Sequence, residues 1–116
     1  MRRILSFAII VVLLETALFL TKTAGADEYA QGKRLYSDKC QICHGVKGDG
    51  NGPAGAALNP KPADFTSPKF WQQKNVDKLI TDMVENGHGM MPSFDLKPAE
   101  IKEIIDYLAH TFKPKS

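Results

Sequence analysis

Two stretches of the chain repeat apolar residues with the period of an α-helix. From Pro98 to about Phe112, Ile101, Ile104, Ile105, Leu108 and Phe112 fall at i, i+3, i+4, i+7 and i+11, and Pro98 suits a first helical position. Its cap is imperfect, because Lys97 stands where Ser, Thr or Asp would accept amide hydrogens. From Val76 to about Glu85 the stripe is Val76, Leu79, Ile80, Met83 and Val84, with Asn75 as the expected N-cap and Asn86-Gly87 as the stop. A third helix is expected from Asp27 to about Lys39, with Asp27 and Glu28 at its positive end. Its stripe of Ala30, Leu35 and Tyr36 is partial, and Gly32 in its interior costs about 1 kcal/mol relative to Ala. No run alternates with period two and no repeat is visible, so the expected class is all-α.

Between the first and second helices the pattern breaks down. Gly45, Gly48, Gly50, Gly52 and Gly55 are followed by Pro53, Pro60, Pro62 and Pro68, which predicts a long irregular connection with one short turn at Pro53–Leu58. Loops of this length in a small domain are usually functional or wrapped around something.

The N-terminal apolar run has a different character. Met1-Arg2-Arg3 precedes eleven residues, Ile4 to Leu14, whose single polar member is Ser6; Ala24-Gly25-Ala26 then offers an A-x-A cleavage site. Positive start, short apolar core and small-residue site together predict a signal peptide over residues 1–26 and a mature domain over 27–116. The competing reading is an uncleaved anchor from Ile4 to Leu20, which would bury Glu15 at about 3 kcal/mol. Export implies the periplasm or another extracytoplasmic, oxidising compartment.

Composition narrows the classes. Hydrophobic residues make up 43% and charged residues 24%, as in ordinary globular chains. Removing Arg2, Arg3 and Lys22 from the 15 basic residues and Glu15 from the 13 acidic ones leaves 12 of each. The formal charge of +2 therefore belongs to the leader, and no basic footprint for nucleic acid remains. Two cysteines cannot form a multi-disulfide scaffold. A domain this short buries only about 60–70% of its unfolded surface, so it needs another source of support.

The cysteines supply one. Cys40-Gln41-Ile42-Cys43-His44 is C-x-x-C-H, the attachment signature of c-type haem. Residues three apart on a helical turn project from one side, so two thiols reach two vinyl groups on one porphyrin edge while the adjacent imidazole faces the iron. A thioredoxin-like dithiol would need a βαβ context, and a zinc site would need a second ligand pair; the sequence offers neither. A disulfide across two intervening residues would be strained and would leave His44 without a role. For the sixth iron ligand, Asn86-Gly-His-Gly-Met-Met-Pro-Ser-Phe94 offers Met90 and Met91, soft neutral thioethers, with His88 as a rival. Met83 lies on the apolar stripe and reads as core; His110 reads as surface; Phe65 reads as pocket wall, and Trp71 equally as pocket wall or as core. Gly48 to Gly52 is neither a P-loop, lacking Gly-Lys-Ser/Thr, nor a calcium loop, because Pro53 replaces a ligand.

From Asp27 to Phe112 the chain resembles class I c-type cytochromes. The resemblance rests on Gly32 and Tyr36 before Cys40–Gly45, then Gly48-Asp-Gly-Asn-Gly-Pro53, Asn59-Pro-Lys-Pro-Ala-Asp-Phe65, Met91-Pro-Ser-Phe94 and the final amphipathic helix. It implies the cytochrome c fold: three main helices and long loops around one covalently bound haem c. It implies Cys40 and Cys43 as thioethers, His44 as proximal ligand and Met91, the Met before Pro, as distal ligand in preference to Met90. It also implies that Gly32 and Tyr36 cross Tyr107 and Leu108, and that a proline carbonyl, from Pro53 or Pro60, accepts the other imidazole N–H. The expected function is a monohaem electron carrier, not an enzyme, exchanging electrons with redox proteins in transient contacts. It meets a membrane only if the leader stays attached. The alternatives are a haem c enzyme or sensor with a labile distal ligand, or an electron-transfer subunit of a larger dehydrogenase or oxidase complex.

Overall fold

A computed structural model describes residues 28–115; the expected leader, residues 1–26, lies outside them. Among the described residues five helices follow in order: α1 (Ala30–Lys39), α2 (Gln41–His44), α3 (Pro68–Trp71), α4 (Val76–Asn86) and α5 (Pro98–Thr111). Among the described residues there is no strand, and none of the helices is long and apolar enough to cross a membrane. The all-α expectation holds.

The most completely buried part of the molecule is the crossing of α1 and α5. Helix α5 buries Ile101, Ile104, Ile105 and Leu108, the residues its periodicity selects. Its start is better secured than Lys97 suggests, because the Glu100 carboxylate accepts the Lys97 backbone N–H at 2.8 Å. Helix α1 buries Gly32, Leu35 and Tyr36. A Cβ built on Gly32 would collide with the Glu103 carbonyl and lie 2.7 Å from the Tyr107 Cβ, so only glycine permits this approach. The Tyr36 ring lies 5.6 Å from that of Tyr107 and 5.4 Å from that of Phe112, and its hydroxyl donates to the Gly45 carbonyl at 2.7 Å.

Three local expectations need correction. Helix α1 starts at Ala30 behind Tyr29, so Glu28 precedes its first turn, which contains no acidic residue; Asp27 lies outside the described residues. Asn75 precedes α4 in the left-handed conformation (φ 55°) and makes no side-chain cap, so it serves as a bend rather than a hydrogen-bond acceptor. Helix α3, with Pro68 at its start, interrupts a stretch expected to be irregular apart from one short turn at Pro53–Leu58.

The glycine-rich loop is fixed to the single turn of α2, which is too short to pair its own carbonyls. Loop amides do so instead: Gly50 donates to His44 at 2.9 Å, Gly52 to Cys43 at 3.1 Å and Ala54 to Ile42 at 2.9 Å. The chain passes so close there that a Cβ on Gly55 would strike the Cys43 carbonyl.

Candidate cofactor site

Helical hydrogen bonding continues from α1 through the C-x-x-C-H run, with Cys40 N–H donating to Tyr36 and His44 N–H to Cys40, each at 2.9 Å. Cys40 and His44 are thus one helical turn apart and face the same side. No disulfide joins Cys40 and Cys43, and both are half-buried. Burial pushes the Cys40 thiol up to about 11, which keeps it protonated at neutral pH.

His44 is 9% exposed, and its Nδ1 lies 3.2 Å from the Ala63 carbonyl oxygen. A carbonyl only accepts, so Nδ1 carries the proton and the lone pair resides on Nε2. Burial lowers the imidazole pKa despite the opposing effect of that bond, and the ring is neutral. The Phe65 ring stacks on it at 4.8 Å with an interplanar angle of 18°.

Two largely apolar cavities of about 310 and 590 Å³ adjoin at His44, a size that suits a sizeable cofactor. Cys40, His44, Ala63, Met83 and Met91 line both, and Cys43 lines the larger. The loop that carries Met91 is tied down at both ends. Met91 and His88 exchange backbone hydrogen bonds at 2.9 and 3.0 Å, and Phe94 N–H donates to the Val84 carbonyl of α4 at 2.8 Å. Gly87 and Gly89, at φ 69° and 57°, make the turns between. Met91 is half-buried, whereas Met90 is 72% exposed and touches only the larger cavity. His88 is exposed at the edge of the larger cavity, and His110 is exposed and stacked on Tyr29 at 4.1 Å.

This donor set fits an iron porphyrin. Two thiols stand where thioether bonds could form, a neutral imidazole presents a lone pair, a soft thioether lines the same space, and apolar walls exclude water.

Several residues differ from the sequence reading. The imidazole bond goes to Ala63, neither to Pro53 nor to Pro60. Pro53 opens the turn whose Ala54 amide serves Ile42, while the Phe65 amide, bonded to Gly48 at 2.7 Å, draws residues 63–65 past the imidazole. Met83 is cavity wall rather than core, as is Leu79; of the α4 stripe only Ile80 and Val84 are buried. Phe65 is both core and wall. Trp71 lines neither cavity; its indole packs edge-on against Phe70 with Lys113 5.6 Å above the ring.

Residues 27–108 match the family described as cytochrome c oxidase, cbb3-type, subunit III. The chain belongs to this family of c-type cytochromes. It is also similar to a protein described as cytochrome c-553-like from Synechocystis sp., with 24% identity over 81 residues. That alignment covers 67% of this chain and 64% of the relative, so the chain spans under two thirds of the relative's length. As a c-type cytochrome the chain carries covalently bound haem c with its iron, and electron transport is the family's chemistry.

Proposed function

We propose that the protein is a monohaem electron carrier, with Cys40 and Cys43 as the thioether attachments, His44 as the proximal iron ligand and Met91 as the distal one. The observation that carries this reading is that His44, Met91 and Cys40 line the same pair of apolar cavities. Haem c supplies a one-electron ferric/ferrous couple when bound. The chain's part is to hold the ligands still and keep water out. Ala63 fixes the proton on Nδ1 and makes the imidazole a stronger donor. The His88–Met91 backbone pair and the Phe94–Val84 bond hold the thioether's loop against α4. A neutral thioether opposite an imidazole raises the reduction potential, which suits a carrier. His44 and Met91 would both hold the iron, which would leave the chain an electron-carrying role with no acid–base or nucleophilic step. The three helices of ten residues or more among the described residues support a cytochrome c fold. Donor and acceptor are redox proteins in transient contact, in the periplasm or an equivalent compartment reached through the leader.

The ferric absorption spectrum tests this. A far-red Met–iron charge-transfer band is expected; Met91→Ala abolishes it and Met90→Ala keeps it. A high-spin ferric spectrum at neutral pH, or the opposite pattern in the two variants, would refute the assignment.

The family's description supports a second reading, an electron-transfer subunit of a larger oxidase. Recovery in a stable multi-subunit complex after gentle extraction would favour it; recovery as a lone chain would favour the carrier.

A further inference from the structure

Residues 63–65 touch His44 twice. The Ala63 carbonyl takes the Nδ1–H at 3.2 Å, and the buried Phe65 ring covers one face of the imidazole at 4.8 Å. One contact fixes the tautomer and the other fixes the plane of the ring. Asp64, between them, is exposed and turns away to accept the Thr66 amide at 2.8 Å, so it gives the segment no hold on the imidazole.

Two hydrogen bonds pin this tripeptide from behind, both on Phe65. Its N–H donates to the Gly48 carbonyl at 2.7 Å, and its carbonyl accepts the Trp71 indole Nε1–H at 2.7 Å. The first comes from the same loop. The second comes from α3, a separate element whose single turn, started by Pro68, carries the indole back over the strand of chain it has just left. Trp71 lines neither cavity, so it reaches the site through its neighbours: Phe65 by the hydrogen bond and Phe70, a cavity wall, by ring packing at 5.3 Å.

We propose that Trp71 is a positioning residue for His44: its indole N–H locks the 63–65 strap that sets the tautomer and plane of the imidazole. The inference rests on His44 being the proximal ligand. An imidazole whose Nδ1–H is held by a carbonyl is more electron-rich and favours the ferric state. Freeing the strap weakens that bond, and the reduction potential moves upward.

Two substitutions separate the hydrogen bond from the packing. Trp71→Phe keeps an aromatic ring and removes the donor. Trp71→His restores it, because imidazole superposes on the five-membered half of the indole and its Nε2–H takes the place of Nε1–H. Both are made in the full exported chain with haem attached, and exchange of the His44 Nδ1–H with deuterated solvent is followed by NMR in the diamagnetic ferrous state. Midpoint potential is measured alongside. In Trp71→Phe the exchange is expected to be about tenfold faster, the worth of one lost hydrogen bond, and the potential higher. In Trp71→His both return towards the parent values. Parent-like exchange in Trp71→Phe, or equal acceleration in Trp71→His, overturns the inference while leaving the proposed function intact. A parent chain isolated from its exporting host without covalent haem overturns both.

Discussion

At the crossing of α1 with α5 the chain packs against itself. Tyr36, Ile101, Ile104 and Leu108 are each 2% exposed or less, and the backbone at Gly32 lies against the Glu103 carbonyl. On the other flank of the same core, Leu79 and Met83 of α4 face a cavity, whose lining also takes in His44 of α2 and the loop residues Ala63, Phe65 and Met91. The first region is closed by apolar contacts of the chain itself on every side but one, where Tyr36, Ile104 and Leu108 also line that cavity; the second, on the proposed reading, completes its contacts with haem. The difference shows where a domain of this size gets its stability. One helix pair supplies a packed crossing, and on the proposed reading the haem supplies the apolar bulk for the cavity beside it.

That comparison is open to direct attack. The largest effect is expected from Cys40→Ala combined with Cys43→Ala, which removes covalent attachment. Amide exchange read by mass spectrometry should show protection lost across the loops at 45–67 and 87–96 while α1 and α5 keep a residual share. Simultaneous loss in both regions would show that they are a single unit. Next in size is Gly32→Ala, which drives a methyl into the Glu103 carbonyl and should lower stability by about 3 kcal/mol, measured by denaturant unfolding of the haem-loaded protein. A loss under about 0.5 kcal/mol, the ordinary surface value, would mean that the crossing yields easily.

The smallest effect tests the joint between the two regions. Tyr36 reaches from the crossing to the Gly45 carbonyl just after His44, and Tyr36→Phe should cost about 1 kcal/mol. Burial holds the Tyr36 phenol well above its ordinary value, so the folded state keeps a proton that the unfolded state releases. The contribution is therefore fully present below about pH 10, the unfolded value, and is lost as pH rises further. The parent's stability should decline above that pH more steeply than that of Tyr36→Phe; equal slopes would remove Tyr36 from the explanation.

What could be read from the sequence divides along the same line. The stripe of α5 and the C-x-x-C-H run were legible because each is a pattern of side chains along one element; the glycine at the crossing came only from the family resemblance. Ala63 was not, because its part is played by a backbone carbonyl whose path is set by a distant bond, Phe65 to Gly48. Met83 was misassigned to the core for a related reason: an apolar stripe looks the same whether it faces other side chains or a cavity. Helix α3 did leave a signal, Pro68 after Ser67, at a position where a helix start is favoured. The length of the irregular stretch around it concealed that signal.

Mass spectrometry of the protein recovered from an exporting host tests the central assignment most directly. A mature chain beginning near Asp27 should carry the mass of one haem, and the peptide spanning Cys40 to His44 should hold it through both sulfurs. An intact chain without that mass, or a peptide whose Cys40 and Cys43 are free thiols or bonded to each other, would contradict the account.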